Sequence, residues 1–89
     1  MAGYRIRVKR SAAKEIEQIE PISVRRKVIE RIRSLSADPR PRGCEKLSGK
    51  LGRYRVRQGQ YRVLYSIDAD ILRVYVVKVG DRWEVYKER

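Results

Sequence analysis

Arg53-Tyr54-Arg55-Val56-Arg57 alternates cation and apolar residue at every step. In an extended strand, successive side chains point to opposite faces. The stretch therefore predicts a strand with Arg53, Arg55 and Arg57 on one face and Tyr54 and Val56 on the other. Gln58-Gly59-Gln60 follows, and a three-residue connection containing glycine suits a hairpin with a bulge. Tyr61-Arg62-Val63-Leu64-Tyr65 begins the partner strand, so the two strands are expected at 53–57 and 61–67. Asp68-Ala69-Asp70 makes a second tight connection. The run from 71 to 79, Ile-Leu-Arg-Val-Tyr-Val-Val-Lys-Val, is apolar on both faces and reads as a central strand with helices on at least one side. Gly80-Asp81 turns the chain into a short last strand at 83–86.

Working back toward the N-terminus, Tyr4-Arg5-Ile6-Arg7-Val8-Lys9 alternates and predicts a first strand. Tyr4, Ile6 and Val8 are expected to face the core, and Arg5, Arg7 and Lys9 to face solvent or a partner. Ser11 suits a helix N-cap, and Ala12, Ile16 and Ile19 make the apolar stripe of a helix reaching about Glu20. Pro21 interrupts it. A second helix is expected at 23–37, with Val24, Val28, Ile32 and Leu35 on one face and mostly charged residues on the other. Asp38-Pro39-Arg40-Pro41-Arg42-Gly43 ends that helix in a loop. The fold class is α+β: an N-terminal strand, a helical hairpin, then an antiparallel sheet, in the order β-α-α-β-β-β with a short terminal strand. Residues 1–89 form a single domain, and a chain of this size buries only a small core.

Charge narrows the partners. Lys and Arg number 23 against 11 Asp and Glu, a net charge of +12. Such self-repulsion favours a polyanionic partner, either nucleic acid or an acidic protein. From Lys46 to Ile67 there is no acidic residue, while Lys46, Lys50, Arg53, Arg55, Arg57 and Arg62 all fall inside that run. No apolar stretch approaches a bilayer span and no signal core opens the chain, so no membrane partner is expected and a cytoplasmic location is. Cys44 is the single cysteine and histidine is absent. Serine–histidine and cysteine–histidine nucleophiles, histidine acid–base pairs and most zinc sites are thereby excluded. No metal and no cofactor is expected.

The chemistry left to the chain belongs to Arg, Lys, Tyr and carboxylates. Guanidinium forks match phosphate oxygens and keep their charge. Arg55, Arg57, Arg62 and Arg82, aimed at one phosphodiester, would bind it and stabilise the extra charge of a five-coordinate transition state. Cleavage without metal or histidine needs an internal nucleophile, and RNA carries one in its 2′-OH. Tyr86 is the candidate acceptor of that proton, given cations that lower its pKa from about 10. Trp83 reads as a base-stacking ring, as an aromatic closing the core edge, or as an anchor for a protein partner. Lys46, Lys50 and Arg53 extend the candidate RNA-binding face.

At these residues the sequence resembles the RelE/ParE superfamily of bacterial and archaeal toxins, and more closely its RelE branch. The stretches that carry the resemblance are Lys46-Leu47-Ser48-Gly49, Tyr54-Arg55-Val56-Arg57, Tyr61-Arg62-Val63-Leu64-Tyr65, Val79-Gly80-Asp81-Arg82 and Glu84-Val85-Tyr86. Their order and spacing cover nearly the whole chain. The resemblance implies the toxin of a type II toxin–antitoxin module, a ribosome-dependent mRNA interferase that cuts the codon in the decoding site. It implies that Arg62 clamps the scissile phosphate, that Arg82 stabilises the transition state or the leaving oxygen, and that Tyr86 serves as base or orienting stack. It places Arg55 and Arg57 in a basic strand pair that the family often fills with lysine. Arginine donates a proton poorly, so electrostatic stabilisation is expected at these two positions. The implied partners are mRNA on the ribosome and a cognate antitoxin offering an amphipathic helix or acidic segment. Two alternatives stand beside this reading: a ParE-like toxin acting on DNA gyrase, and a non-catalytic basic RNA-binding protein.

Overall fold

The computed structural model describes residues 3–47 and 52–81. The elements are β1 (Arg5–Val8), α1 (Arg10–Glu17), α2 (Ile22–Ser34), β2 (Glu45–Lys46), β3 (Arg53–Gln58), β4 (Tyr61–Asp68) and β5 (Arg73–Gly80). They form one five-stranded sheet in the order β1-β5-β4-β3-β2. This is the α+β fold expected, with the helical hairpin laid against a mainly antiparallel sheet. The expected strand at 83–86 lies outside the described residues.

Alternation builds the hairpin as read. Tyr54 and Val56 are buried and the β3 arginines point the other way. Gln58 pairs with Tyr61, so only Gly59 and Gln60 form the turn, one residue fewer than expected. Gly59 has φ 62, a left-handed conformation that glycine adopts without a Cβ penalty. The β4–β5 ladder shifts register between Leu64, which pairs with Lys78, and Tyr65, which pairs with Val76. Val77 of β5 is the extra residue, and a bulge of this kind bends its strand; Leu64 and Tyr65 are both buried, on opposite faces of the sheet.

The core lies between the helices and one sheet face. Ala12 and Ile19 from the first helical segment meet Val28, Ile32 and Leu35 from the second. Against them stand Tyr54, Val56, Val63, Tyr65, Val74, Val76 and Val79. Removing a side chain of this kind from water stabilises by roughly 1.5–3 kcal/mol. The Tyr65 hydroxyl donates to the Pro39 carbonyl at 2.7 Å, tying the loop after α2 to the sheet. The Tyr54 and Tyr65 rings stack with centroids 6.0 Å apart. Arg40 lies over the Tyr54 ring and its Nε donates to the Tyr54 hydroxyl at 3.2 Å.

Four expectations about local structure change. α1 begins at Arg10 rather than after Ser11, and its N-cap is Lys9, with no side-chain cap. α1 stops at Glu17 and α2 at Ser34, each about three residues early. Ile71 and Leu72 are exposed turn residues rather than the start of the central strand. β1 pairs parallel with β5, joining Arg5 to Arg73 and Val8 to Val76. That pairing makes β5 an interior strand, which is why its run tolerates apolar residues on both faces. Among the described residues, no helix is long and apolar enough to cross a membrane.

Candidate functional site

The strands that bury valine and tyrosine toward the helices turn their arginines to the opposite face. Register aligns that face in rows. Arg57 stands directly across from Arg62, and Arg62 across from Gly80. Arg55 stands across from Leu64, and Arg53 from Ser66, which in turn faces Tyr75. Tyr75 faces Arg7 on β1, and Arg73 faces both Asp68 and Arg5. Between the arginines, Leu64 and Val77 are buried in a second small cluster with Leu47 and Tyr75 packed against it.

Like charges directly opposite one another on paired strands repel. At the Arg57–Arg62 corner the turn offsets part of this. Arg57 Nε donates to the Gly59 carbonyl at 2.9 Å, and Arg62 Nη1 donates to the Gln60 carbonyl at 3.3 Å. Both guanidiniums are thus held by carbonyls of the same tight turn. Arg57 is exposed and Arg62 half-buried, so both charges remain within reach of a ligand. The arrangement offers two fixed forks to one anionic group, the geometry that bidentate phosphate recognition uses.

Arg55 behaves differently. Its guanidinium forms an ion pair with Glu45 on β2, whose register partner it is. The Arg55 side chain is 14% exposed and the Glu45 side chain 61%. A carboxylate therefore stands beside the arginine face, just outside the acid-free run. Sequence reading missed it because a two-residue strand leaves no periodic signal. Lys46 pairs with Tyr54, so strand alternation sends it to the helix side, away from the arginines. Arg53 is half-buried on the arginine face. Lys50, Arg82, Trp83 and Tyr86 lie outside the described residues.

Glu15 of α1 clamps the end of β5. Its carboxylate accepts the Val79 backbone N–H at 2.9 Å and pairs with Lys78 at 3.2 Å. Burial pushes the Tyr65 hydroxyl well above the usual tyrosine range, so this phenol stays a neutral donor. Tyr65 is a structural tyrosine, with no access to a ligand on the arginine face.

Comparison with known proteins agrees with this architecture. The family described as ParE toxin of type II toxin-antitoxin system, parDE, matches residues 6–86. The toxin–antitoxin complex RelBE2 from Mycobacterium tuberculosis contains a chain 30% identical, with 92% of this chain and 94% of that chain aligned at a TM-score of 0.78. The archaeal RelE–RelB complex from Pyrococcus horikoshii contains one 28% identical, with coverage of 90% and 96% and a TM-score of 0.79. A mutant of the Escherichia coli toxin RelE in the free state is 27% identical, with coverage of 99% and 94% and a TM-score of 0.78. No curated protein sequence matches the chain. The chain belongs to the ParE toxin family of type II toxin–antitoxin systems, within the RelE/ParE superfamily.

Proposed function

We propose that this toxin is a RelE-like, metal-independent endoribonuclease that cuts mRNA in the decoding site of the ribosome. The observation that carries the reading is the Arg57–Arg62 pair, two cations on adjacent strands braced by one turn. A scissile phosphate seated between them gains two fixed donors where charge develops, and removing one such donor typically costs 10²–10³-fold in rate. The 2′-oxygen of the upstream nucleotide attacks phosphorus and the 5′-oxygen of the next one departs. The products are a 2′,3′-cyclic phosphate and a 5′-OH. Tyr86 takes the 2′-OH proton, Arg82 stabilises the leaving 5′-oxygen, and that oxygen gains its proton from water. Arg57 and Arg62 neutralise the phosphorane, while Arg55, already paired with Glu45, contributes field rather than direct contact.

The test is expression in a bacterial host, followed by primer extension on mRNA in a translating extract. Growth arrest and ribosome-dependent cuts are expected, with Arg62→Ala, Arg82→Ala and Tyr86→Ala each lowering cutting about 10²–10³-fold. Cuts that appear without ribosomes, or arrest untouched by all three substitutions, sink the reading. The family match carries a second reading, a ParE-like toxin acting on DNA gyrase. Loss of supercoiling activity in purified gyrase, with intact mRNA, decides for that one. In either case the expected inhibitor is a cognate antitoxin, as in the RelB-bound relatives.

A further inference from the structure

The Arg57–Arg62 corner leaves a second cationic group on the same sheet face without a role. Arg5, Arg7 and Arg73 line a cleft of about 410 Å³ with Gly3, Ile71 and Leu72. All three arginines are exposed. Arg5 is the direct register partner of Arg73. Placing like charges opposite each other destabilises a sheet. No turn carbonyl or carboxylate offsets this pair among the described residues, unlike Arg57, Arg62 and Arg55. Asp68 lies beside Arg73 in register, yet its carboxylate accepts the Asp70 N–H within its own turn.

Two more features define the ligand. Arg5 and Arg7 are separated by two strand rises, about 6.6 Å, along one face, so they present successive forks rather than a single point charge. Tyr75 stands next to Arg7 in register on that face, a ring interleaved with guanidiniums. Arginines that track a backbone beside an aromatic platform are the chemistry of single-stranded nucleic-acid grooves. An acidic protein segment would satisfy the charges and leave the ring without a matching group.

We propose that the Arg5, Arg7 and Arg73 cleft is a second phosphate-binding site, which holds the RNA backbone away from the reacting corner. This rests on the ribonuclease reading only in naming RNA as the polyanion. Along β5, Arg73 and Gly80 are seven residues apart, about 23 Å, and Gly80 marks the Arg62 row. An RNA several nucleotides long reaches both groups, and a dinucleotide reaches one. The site sets affinity and register and takes no part in bond breaking.

The experiment measures binding of the full-length chain to 2′-O-methyl RNA of about twelve nucleotides across a salt series. This RNA lacks the 2′-OH nucleophile, so the readout is independent of cleavage. Arg5→Ala/Arg73→Ala is expected to lower the magnitude of the slope of log K against log[salt] by about 1.4, two phosphate contacts on a single strand. Arg7→Ala alone is expected to lower it by about 0.7. Arg5→Lys/Arg73→Lys, which keeps both charges, is expected to hold the slope and so shows that the alanine effect is not misfolding. Lys14→Ala/Arg26→Ala removes the same charge from exposed positions on the helices and is expected to leave the slope nearly unchanged. An equal loss from the helix variant means a diffuse field and overturns the site, as does no loss from the cleft variants. Binding of polyglutamate that is lost in the cleft variants while RNA binding persists makes this a protein-docking surface and also overturns it. Loss of the slope together with an absence of ribosomal cutting upholds the site and refutes the ribonuclease reading.

Discussion

The two faces of one sheet differ in what their residues gain from folding. Toward the helices, β3, β4 and β5 send Tyr54, Val56, Val63, Tyr65, Val74, Val76 and Val79 into a continuous core. On the other side the same strands set Arg57 against Arg62 and Arg73 against Arg5, with only the small Leu64–Val77 cluster between. The first face gives up water and gains stability. The second keeps repelling charges together and loses some. The lesson is a division at the level of alternate residues: a single strand such as β3 serves the fold with its even-numbered Tyr54 and Val56 and turns its odd-numbered arginines to the face proposed to meet RNA.

The sharpest way to break that division is to damage the core and watch the other face. Leu35 is fully buried at the end of α2. Leu35→Ala is expected to cost about 3 kcal/mol, seen as a melting temperature lower by roughly 15 °C. RNA binding per folded molecule stays as it was. A drop in affinity of the folded fraction would show that the faces are mechanically coupled.

A smaller effect is expected at Tyr65, where the helix-side core holds a polar group. Tyr65→Phe leaves the Pro39 carbonyl without its donor, at a cost of about 1–2 kcal/mol. Here pH provides a check of sign. The folded hydroxyl titrates above its unfolded value of about 10, because burial disfavours the phenolate. The contribution of Tyr65 is therefore complete below about pH 10 and falls as the pH rises beyond it. Urea midpoints of the native chain and the variant are expected to keep their gap up to about pH 10 and to converge as the pH rises above it. A gap that widens in alkali contradicts the buried neutral phenol.

The smallest effect probes the ligand face. Glu45→Gln keeps a hydrogen-bonding partner for Arg55 and removes the charge. Because Glu45 is mostly exposed, the stability change is expected to stay below about 1 kcal/mol. RNA affinity is expected to rise several-fold in a filter-binding titration. An unchanged affinity would mean that Arg55 does not contribute to the field felt by the ligand.

What the sequence disclosed follows from where periodicity exists. β3 alternates strictly, so its strand type and faces were legible, as was its hairpin with β4. The stripe of α2 was legible for the same reason. The opposition of Arg57 and Arg62 was not, because the expected three-residue connection sets Arg57 against Tyr61, and β4 itself runs Val63-Leu64-Tyr65 without alternation. Nor was Glu45, since β2 is two residues long and its pairing with Arg55 is a tertiary fact. Ile71 and Leu72 misled because an apolar pair before an apolar strand looks continuous with it. The chain must instead reverse there, with Leu72 at φ 52 and its carbonyl accepting the Arg5 N–H. The parallel β1–β5 pairing has no local signature at all. Arg82, Tyr86, Trp83 and Lys50 lie beyond the described residues, and their part in the site rests on the sequence resemblance and the proposed chemistry.

That parallel pairing also bears on how the toxin comes into being. β1 is made well before the edge it needs, which belongs to residues 73–76. Contacts so distant in sequence close slowly, because the chain entropy is spent before the contact returns anything. Until β5 has been synthesised, β1 has no strand to join and the helical hairpin has only part of its floor. A nascent or truncated toxin therefore lacks the Arg5–Arg73 cleft and the Arg62–Gly80 row together. The arginine face is therefore assembled only after β5 has been translated.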